Sequence, residues 1–238
     1  MTRGGLLQRA ITACSCEHQS KIARYNKVLW LRILLSIAAI LTGYTLGSIP
    51  TGYLIGKAWG VDVREHGSGR TGGTNVWRAT KQVWPLVLTV SGDVIKGMAA
   101  VLIGRYVLGP YAAWSELTAA LAGAAAIAGH NWSFMLGLRG GAGGMTAGAA
   151  LIMLSPTAGV VVAVIAVALL LITHYASVAT LTVGLGSLIV LGLLTLVAGN
   201  ANPWPHLIFG VMAAVGILWA LRPNLKRLIQ GTERRITF

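Results

Sequence analysis

Arg64-Glu65-His66-Gly67-Ser68-Gly69-Arg70-Thr71-Gly72-Gly73-Thr74-Asn75-Val76-Trp77-Arg78 is an island of polarity in a chain that is otherwise mostly hydrocarbon. Its glycines allow backbone conformations that turn N–H groups toward one point. The interleaved arginines bring forked donors that suit phosphate oxygens. The stretch therefore reads as an anion-binding loop, and the apolar runs on either side make it a loop hung between membrane helices.

The composition supports that frame. Of 238 residues, 55% are hydrophobic and 11% are charged, whereas a water-soluble domain carries about 25% charged residues. The fold class expected is an all-α polytopic membrane protein, with about seven transmembrane helices and glycine-rich cytoplasmic loops. One transmembrane domain spans residues 28–238, behind a basic extension over 1–27 that is expected to be disordered. The net charge of +13 does not indicate a nucleic-acid binder. The cations gather at the ends of apolar runs, where they act as topology signals and headgroup contacts. Cys14-x-Cys16 has no further cysteine or histidine cluster with which to complete a zinc site, so no metal and no cofactor are expected.

Outward from the loop, a first helix is expected from Val28 to Leu46, interrupted by Gly47-Ser48-Ile49-Pro50 and resumed from Thr51 to Trp59. Proline removes a backbone donor, and a broken membrane helix needs protein or water to satisfy the freed groups. Ser48 is therefore a candidate to face a polar cavity. A helix over 84–108 carries Asp93 and Lys96, three residues apart and so on one face; both should point into the protein, because a charge at mid-bilayer is costly. A third helix over 112–130 ends in Gly129-His130-Asn131. The loop Arg139-Gly140-Gly141-Ala142-Gly143-Gly144-Met145-Thr146 then enters a short fourth helix, and a glycine loop feeding a helix N-terminus is a second anion cradle. Helices over 156–173, 178–198 and 207–221 complete the seven. Between them lie a polar turn at His174–Ser177 and an Asn-, Pro- and Trp-rich turn over 200–206. With seven crossings, 57–82, 132–143, 174–177 and the C-terminal tail share one side. That side holds eleven of the lysines and arginines, so the positive-inside rule makes it cytoplasmic.

No standard catalytic constellation is complete. Gly-x-Ser-x-Gly is absent, and neither His66 nor His130 has the downstream aspartate of a His-x-x-x-x-Asp acyltransferase. Cations, amides, hydroxyls and glycines suit the positioning of phosphates better than nucleophilic attack by the protein.

A set of ordered motifs carries a family resemblance. Gly47-Ser48-Ile49-Pro50-Thr51-Gly52-Tyr53, Gly60–Arg64, His66–Gly69, Thr74-Asn75-Val76 with Arg78, Asp93 with Lys96-Gly97, Gly129-His130-Asn131, Gly140-Gly141-x-Gly143-x-x-Thr146, Tyr175-x-Ser177, Arg222-x-Asn224-Leu225-Lys226-Arg227 and Gly231-Thr232-Glu233 follow one another over about 40–233. Together they resemble the bacterial membrane glycerol-3-phosphate acyltransferase family of the acyl-phosphate-dependent, PlsY-like type. The resemblance implies seven helices in the inner membrane. It also implies transfer of a fatty acyl group from acyl phosphate to the 1-hydroxyl of glycerol 3-phosphate in phospholipid synthesis, with a substrate phosphate taking the proton. The partners would be those two substrates and membrane lipids.

The catalytic candidates carried over are Ser48, Arg64, His66, Ser68, Asn75 and Ser177. Of these, Ser48 and Arg64 would hold glycerol phosphate, while the backbone of Gly67 to Gly69 with Thr74, Asn75 and Ser177 would position acyl phosphate. The other binding candidates are Arg70, Arg78, His130, Asn131, Arg139, Gly140, Gly141, Gly143, Thr146, Arg222, Asn224 and Lys226, with Arg222 and Asn224 closing the site from the tail. Four positions depart from the family pattern: Ala142 replaces a lysine, Leu221 a histidine, Arg70 an asparagine and His174 an arginine. The lost phosphate-binding cation leads us to expect that Arg70, with Arg139, supplies the missing charge. Two other functions fit the composition: a ligand-binding relative without turnover, supported by Ala142 and Leu221, and a transporter of an anionic metabolite.

Overall fold

The computed structural model describes residues 3–106, 112–198 and 204–236. Among them every regular element is helical. By internal contacts the chain divides into two units, one ending at Ala38 and one beginning at Ala39.

Helix α1 covers Arg3–Ser48. The sequence reading started this helix at Val28 behind a disordered extension, whereas the structure continues it back to Arg3. Residues 6–27 contain no proline or glycine and offer mostly residues that lose little freedom in a helix. α2 (Thr51–Ala58) follows the break at Pro50, as the proline requires.

The break is satisfied by protein rather than by a water-filled cavity. The Ser133 hydroxyl donates to the Ser48 carbonyl, and Lys96 Nζ donates to the Ile49 carbonyl at 3.1 Å. Ser48 is fully buried and its hydroxyl returns to the Tyr44 carbonyl.

The polar loop is not a loop throughout. A 3-10 turn at Val63–Glu65 leads to a two-turn helix, α3 (Gly73–Thr80). Then come α4 (Val83–Tyr106), α5 (Ala112–Asn131), α6 (Gly144–Leu154), α7 (Pro156–Thr173), α8 (Ala176–Ala198), α9 (Trp204–Ala220) and α10 (Arg222–Ile229). α10, read from sequence as a tail, bends 65° away from α9. The expected last residues of the 84–108 helix, and part of the turn over 200–206, lie outside the described residues.

The seven-crossing expectation meets a limit of length. Among the described residues four helical stretches are long and apolar enough to cross a membrane, and up to five if α9 and α10 count as one bent span. α6 has 11 residues. At about 1.5 Å per residue it rises about 16 Å, roughly half of a hydrocarbon core about 30 Å thick.

α5 lies at the centre, against α4, α6 and α9. Its buried face is mostly alanine, and Ala119, Ala120, Ala124 and Ile127 meet Ala147, Ala150, Leu151 and Phe209. Small side chains let helices approach closely in a membrane protein. Gly47 shows the limit: a methyl group there would collide with the backbone of Ala126. Away from the polar loops, Arg105 joins α4 to α5 through Glu116 at 2.9 Å. The same carboxylate takes His206 of α9 at 2.8 Å.

Candidate active site

Three helix N-termini open on one cavity. Gly72–Gly73 starts α3, Gly143–Gly144 starts α6, and Ala176–Ser177 starts α8; all of them line a cavity of about 670 Å³. Gly72 and Gly143 are the N-caps of α3 and α6, and no side chain caps either helix. Free N–H groups and the positive dipole ends favour an anion there. Gly143 has φ +77°, and a methyl at that position would also crowd Asn131.

Arg70 and Arg78 line the same cavity. Neither has a carboxylate partner among the described residues. Arg70 donates to the Ala220 carbonyl, and Arg78 to the carbonyl of Arg234 at 3.2 Å. Burial lowers the proton affinity of both guanidiniums; Arg227 adds to that at Arg70, and Arg234 at Arg78. Glu233 works the other way at both, and a bound anion would favour the charged forms further.

Two orphaned polar atoms sit nearby. Ser177 Oγ and Asn224 Oδ1 are buried without a hydrogen bond, a state that costs about 1–3 kcal/mol each unless a ligand relieves it. The other side of the cavity is hydrocarbon: Leu86 and Val90 of α4, Ala166, Val167 and Leu170 of α7, and Ala179 and Val183 of α8. Val83 and Val167 line it while remaining 64% and 54% exposed, so the apolar side reaches the lipid-facing surface.

Two carboxylates reach this cavity, and both are engaged. Asp93 Oδ1 takes Thr51 Oγ1 at 2.6 Å, Lys96 Nζ at 2.9 Å and His130 Nδ1 at 3.3 Å. The opposite edge of the His130 ring, Nε2, lies so close to Gly141 that a methyl there could not fit. Glu233 accepts from Asn224 Nδ2 at 2.7 Å and from Arg227 Nε at 2.8 Å. Glu233 thereby holds an extended C-terminal strap across the site, and Ile236 N–H closes the strap onto the His174 carbonyl at 2.8 Å.

The structure brings together Ser68, Arg70, Thr74, Asn75, Arg78, His130, Gly143, Ser177 and Asn224 around this cavity. Asn131, Arg139, Gly140, Gly141 and Arg222 instead line a second cavity of about 410 Å³, where Gly69 and again Arg70 also take part. Ser48, Arg64, His66, Gly67, Thr146 and Lys226 line neither.

The reasons differ from residue to residue. Ser48 is consumed by the helix break. Arg64 makes a bidentate pair with Asp62 at 2.7 and 3.0 Å and stands over the Tyr53 ring. His66 Nδ1 lies 2.9 Å from the Asp62 carbonyl. Gly67 gives room for the Asn75 amide. Thr146 is buried in α6 behind Gly97, and Lys226 is on the exposed face of α10.

Asn75 proves to be a scaffold. Its Nδ2 donates to the carbonyls of Val63, His66 and Arg70, and its Oδ1 accepts Ser68 N–H. With its amide nitrogen and its carbonyl oxygen both engaged, it fixes the backbone at Ser68 and Arg70. Sequence reading missed Trp77, Arg227, Glu233, Arg234 and the apolar wall. Glu233 lay in the quoted Gly-Thr-Glu, and Arg227 is one residue from the chosen Lys226. Ala142 and Leu221, where the sequence reading expected a family lysine and histidine, both line the cavity with Arg70; Arg139 does not.

Comparison with known proteins places this geometry. The family model described as glycerol-3-phosphate acyltransferase matches residues 37–231. A glycerol-3-phosphate acyltransferase of Desulforudis audaxviator is 40% identical over 203 residues, 85% of this chain and 96% of the relative. One of Rubrobacter xylanophilus is 37% identical over the same shares. The crystal structure of PlsY (YgiH), an integral membrane glycerol 3-phosphate acyltransferase in its glycerol 3-phosphate form, is similar with a TM-score of 0.74 and 30% identity; the match covers 85% of this chain and 96% of that one. The lysophosphatidic acid form of the same protein matches with a TM-score of 0.72. With a shared sequence, a shared fold and a cavity that combines anion-binding helix termini with a hydrocarbon wall, the chain belongs to the glycerol-3-phosphate acyltransferase family.

Proposed function

We propose that this protein is a multi-pass membrane acyltransferase that moves a fatty acyl group from acyl phosphate to the 1-hydroxyl of glycerol 3-phosphate. One observation carries the reading: a single cavity has three helix N-termini and two arginines without carboxylate partners among the described residues on one side, and hydrocarbon open to the lipid-facing surface on the other. An acyl phosphate has the same two halves. Its chain lies against α4, α7 and α8, and its phosphate lies among Arg70, Arg78, Ser177 and the N–H groups of Gly72–Thr74.

The hydroxyl oxygen of glycerol 3-phosphate attacks the acyl carbon. A C–O ester bond forms, the acyl–oxygen bond to phosphate breaks, and the products are 1-acyl-glycerol 3-phosphate and inorganic phosphate. The hydroxyl proton passes to a substrate phosphate. The two carboxylates that line the cavity, Asp93 and Glu233, are engaged with cations or hydrogen-bond donors, and His130 is held between Asp93 and Gly141. Catalysis is therefore positioning plus stabilisation of the developing oxyanion.

The polar segments face the cytoplasm of a bacterial inner membrane. Support comes from the cations gathered in those segments, with Arg70, Arg78, Arg139, Arg222 and Arg227 around the two cavities. Arg70 takes the part of the cation that Ala142 cannot supply.

The test uses detergent-purified protein with acyl phosphate and glycerol 3-phosphate. Phosphate release that requires both substrates is the expected result. Binding of either without release, or glycerol 3-phosphate uptake into liposomes without release, overturns the reading. For orientation, Lys226→Cys in spheroplasts should resist an impermeant thiol reagent, and labelling from outside reverses the assignment.

A further inference from the structure

A glycine in the middle of a helix is less stable there than alanine, and several helical glycines of this protein have a visible reason to be glycine. A methyl group at Gly97 would strike the backbone of Thr146, one at Gly104 the backbone of Ala119, and one at Gly159 the backbone of Ile152. Gly148 of α6 is different. A methyl there would meet a single atom, Val183 Cγ1 at 3.9 Å, which is an ordinary contact. No described part of the protein needs the room that Gly148 leaves.

That room adjoins the hydrocarbon side of the reaction cavity. Met145, three residues earlier and so on the same face of α6, lines the cavity and is 47% exposed. Val183 of α8 lines it as well. A methyl at Gly144 would be pressed against Thr180, whereas one at Gly148 only touches Val183. α8 is therefore shut against α6 at the first of these turns and stands off at the second. One turn further the space closes again. Gly159 of α7 packs on Ile152 too tightly to admit a methyl, and Val162 of α7, which is buried, lies against Gly186 of α8. The result is a groove that begins at the N-terminus of α6, passes Gly148 and ends at Ile152. From Gly144 to Ile152 it runs about 12 Å, at about 1.5 Å per residue. One leaflet of hydrocarbon is about 15 Å deep, half of a core about 30 Å thick. A membrane acyl chain would fill the groove and its end would emerge into lipid.

We propose that Gly148 is a specificity-determining residue for the acyl chain. The chain of the donor leaves the phosphate end of the cavity, crosses Gly148 against Val183, and turns out to the bilayer at Ile152. The proposal rests on the acyl-phosphate reading of the cavity. A chain that ends before Gly148 is indifferent to the residue there, and a chain that passes it is not. Gly148 lies away from the reacting atoms, so it governs which chains fit and leaves the bond exchange to the polar end.

The test compares the full-length, detergent-purified parent with Gly148→Ala and Gly148→Leu. Two donors are used: butanoyl phosphate, whose chain ends within the first turn of α6, and palmitoyl phosphate. The quantity read is the ratio of kcat/KM for the long donor to that for the short one. Leucine in the groove should lower this ratio about tenfold, in line with the cost of overpacking a filled site, and alanine should lower it less. An unchanged ratio in Gly148→Leu at the parent's melting temperature overturns the proposal. An equal loss with both donors also overturns it, because Gly148 would then be a packing position. If Gly148→Leu melts below the parent, Gly148→Ala decides by the same ratio, since its methyl fits: a lowered ratio supports the groove and an unchanged one overturns it.

A binding readout separates the groove from the reaction. In a chain carrying Cys14→Ser and Cys16→Ser, which removes both native cysteines, Gly148→Cys should react with a membrane-permeant thiol reagent. A long-chain acylphosphonate, a donor analogue that cannot transfer its chain to phosphate, should protect it, and the butyl analogue should not. Protection without phosphate release in the turnover assay refutes the proposed reaction and leaves the groove standing. Turnover without protection, and with an unchanged ratio, refutes the groove and leaves the reaction standing.

Discussion

Two groups of charge sit within reach of the reaction cavity, and they are built on opposite principles. Asp93, Lys96 and His130 form a closed cluster: each is 6% exposed or less, the aspartate receives three donors, and the lysine also satisfies the carbonyl freed by the Pro50 break. Arg70 and Arg78 form an open one, with neutral carbonyls as partners and burial working against their charge. Residues of both groups belong to motifs that looked alike in the sequence. A charge inside an apolar protein is tolerated when a partner answers it, and an unanswered one marks where the partner is a ligand.

The sharpest break of this contrast is Asp93→Asn. It leaves the Lys96 ammonium buried without a counter-charge, a loss of about 3–5 kcal/mol. A large fall in melting temperature in detergent is expected, with partial recovery on adding Lys96→Met. An unchanged melting temperature together with lost turnover would move Asp93 into the open group.

Arg78→Gln should do the reverse. The melting temperature should hold, while kcat/KM for acyl phosphate falls about 100-fold, in line with the loss of a charge-assisted contact of about 1.5–3 kcal/mol. Equal damage to folding and turnover would make Arg78 a strut for the carbonyls of Arg234 and Arg235.

How far the sequence discloses this contrast depends on what kind of physics each feature uses. Hydrophobic runs are long and additive, so the helical membrane class and most helix positions are legible from them. α6 reads as apolar, but apolarity does not state how much membrane 11 residues cross. α3 is invisible because Gly72 and Gly73, which look like loop, are the start of a short helix whose register comes from Asn75 and its loop carbonyls. The site composition is legible and its bookkeeping is not. Ser48, Arg64 and Asn75 have the right chemistry, yet each has that chemistry satisfied within the protein. Only the fold shows which hydrogen-bond capacity is left over. The strap that brings Glu233 to Asn224 and Arg227 is likewise a tertiary event with no local signature.

Arg70→Asn tests the intermediate case, an arginine shared by two cavities. A fall of about tenfold in kcat/KM is expected, and Ala142→Lys in the same chain should restore most of it, since both positions line the reaction cavity. If Arg70→Asn leaves turnover untouched, compensation for the missing lysine is wrong.

The smallest effect is expected at the residue the motif made most prominent. Arg64 is exposed and already paired with Asp62, so Arg64→Gln should change kcat/KM less than about twofold, as surface pairs contribute little. Its consequence should appear in the acid limb of stability. The Arg64 guanidinium, with Lys57 behind it, holds the Asp62 carboxyl well below the usual carboxylate range. A carboxylate depressed in the folded state contributes stability that is fully present above its unfolded pKa of about 4 and is lost as pH falls toward its folded value. Between neutral pH and about 5, parent and variant should therefore melt alike relative to their own neutral values. Below that range the parent should lose stability over the wider span, because the variant has less of this contribution to lose. A variant that loses turnover at neutral pH, with its melting temperature intact, would return Arg64 to the substrate and show that its pairing with Asp62 opens when phosphate arrives.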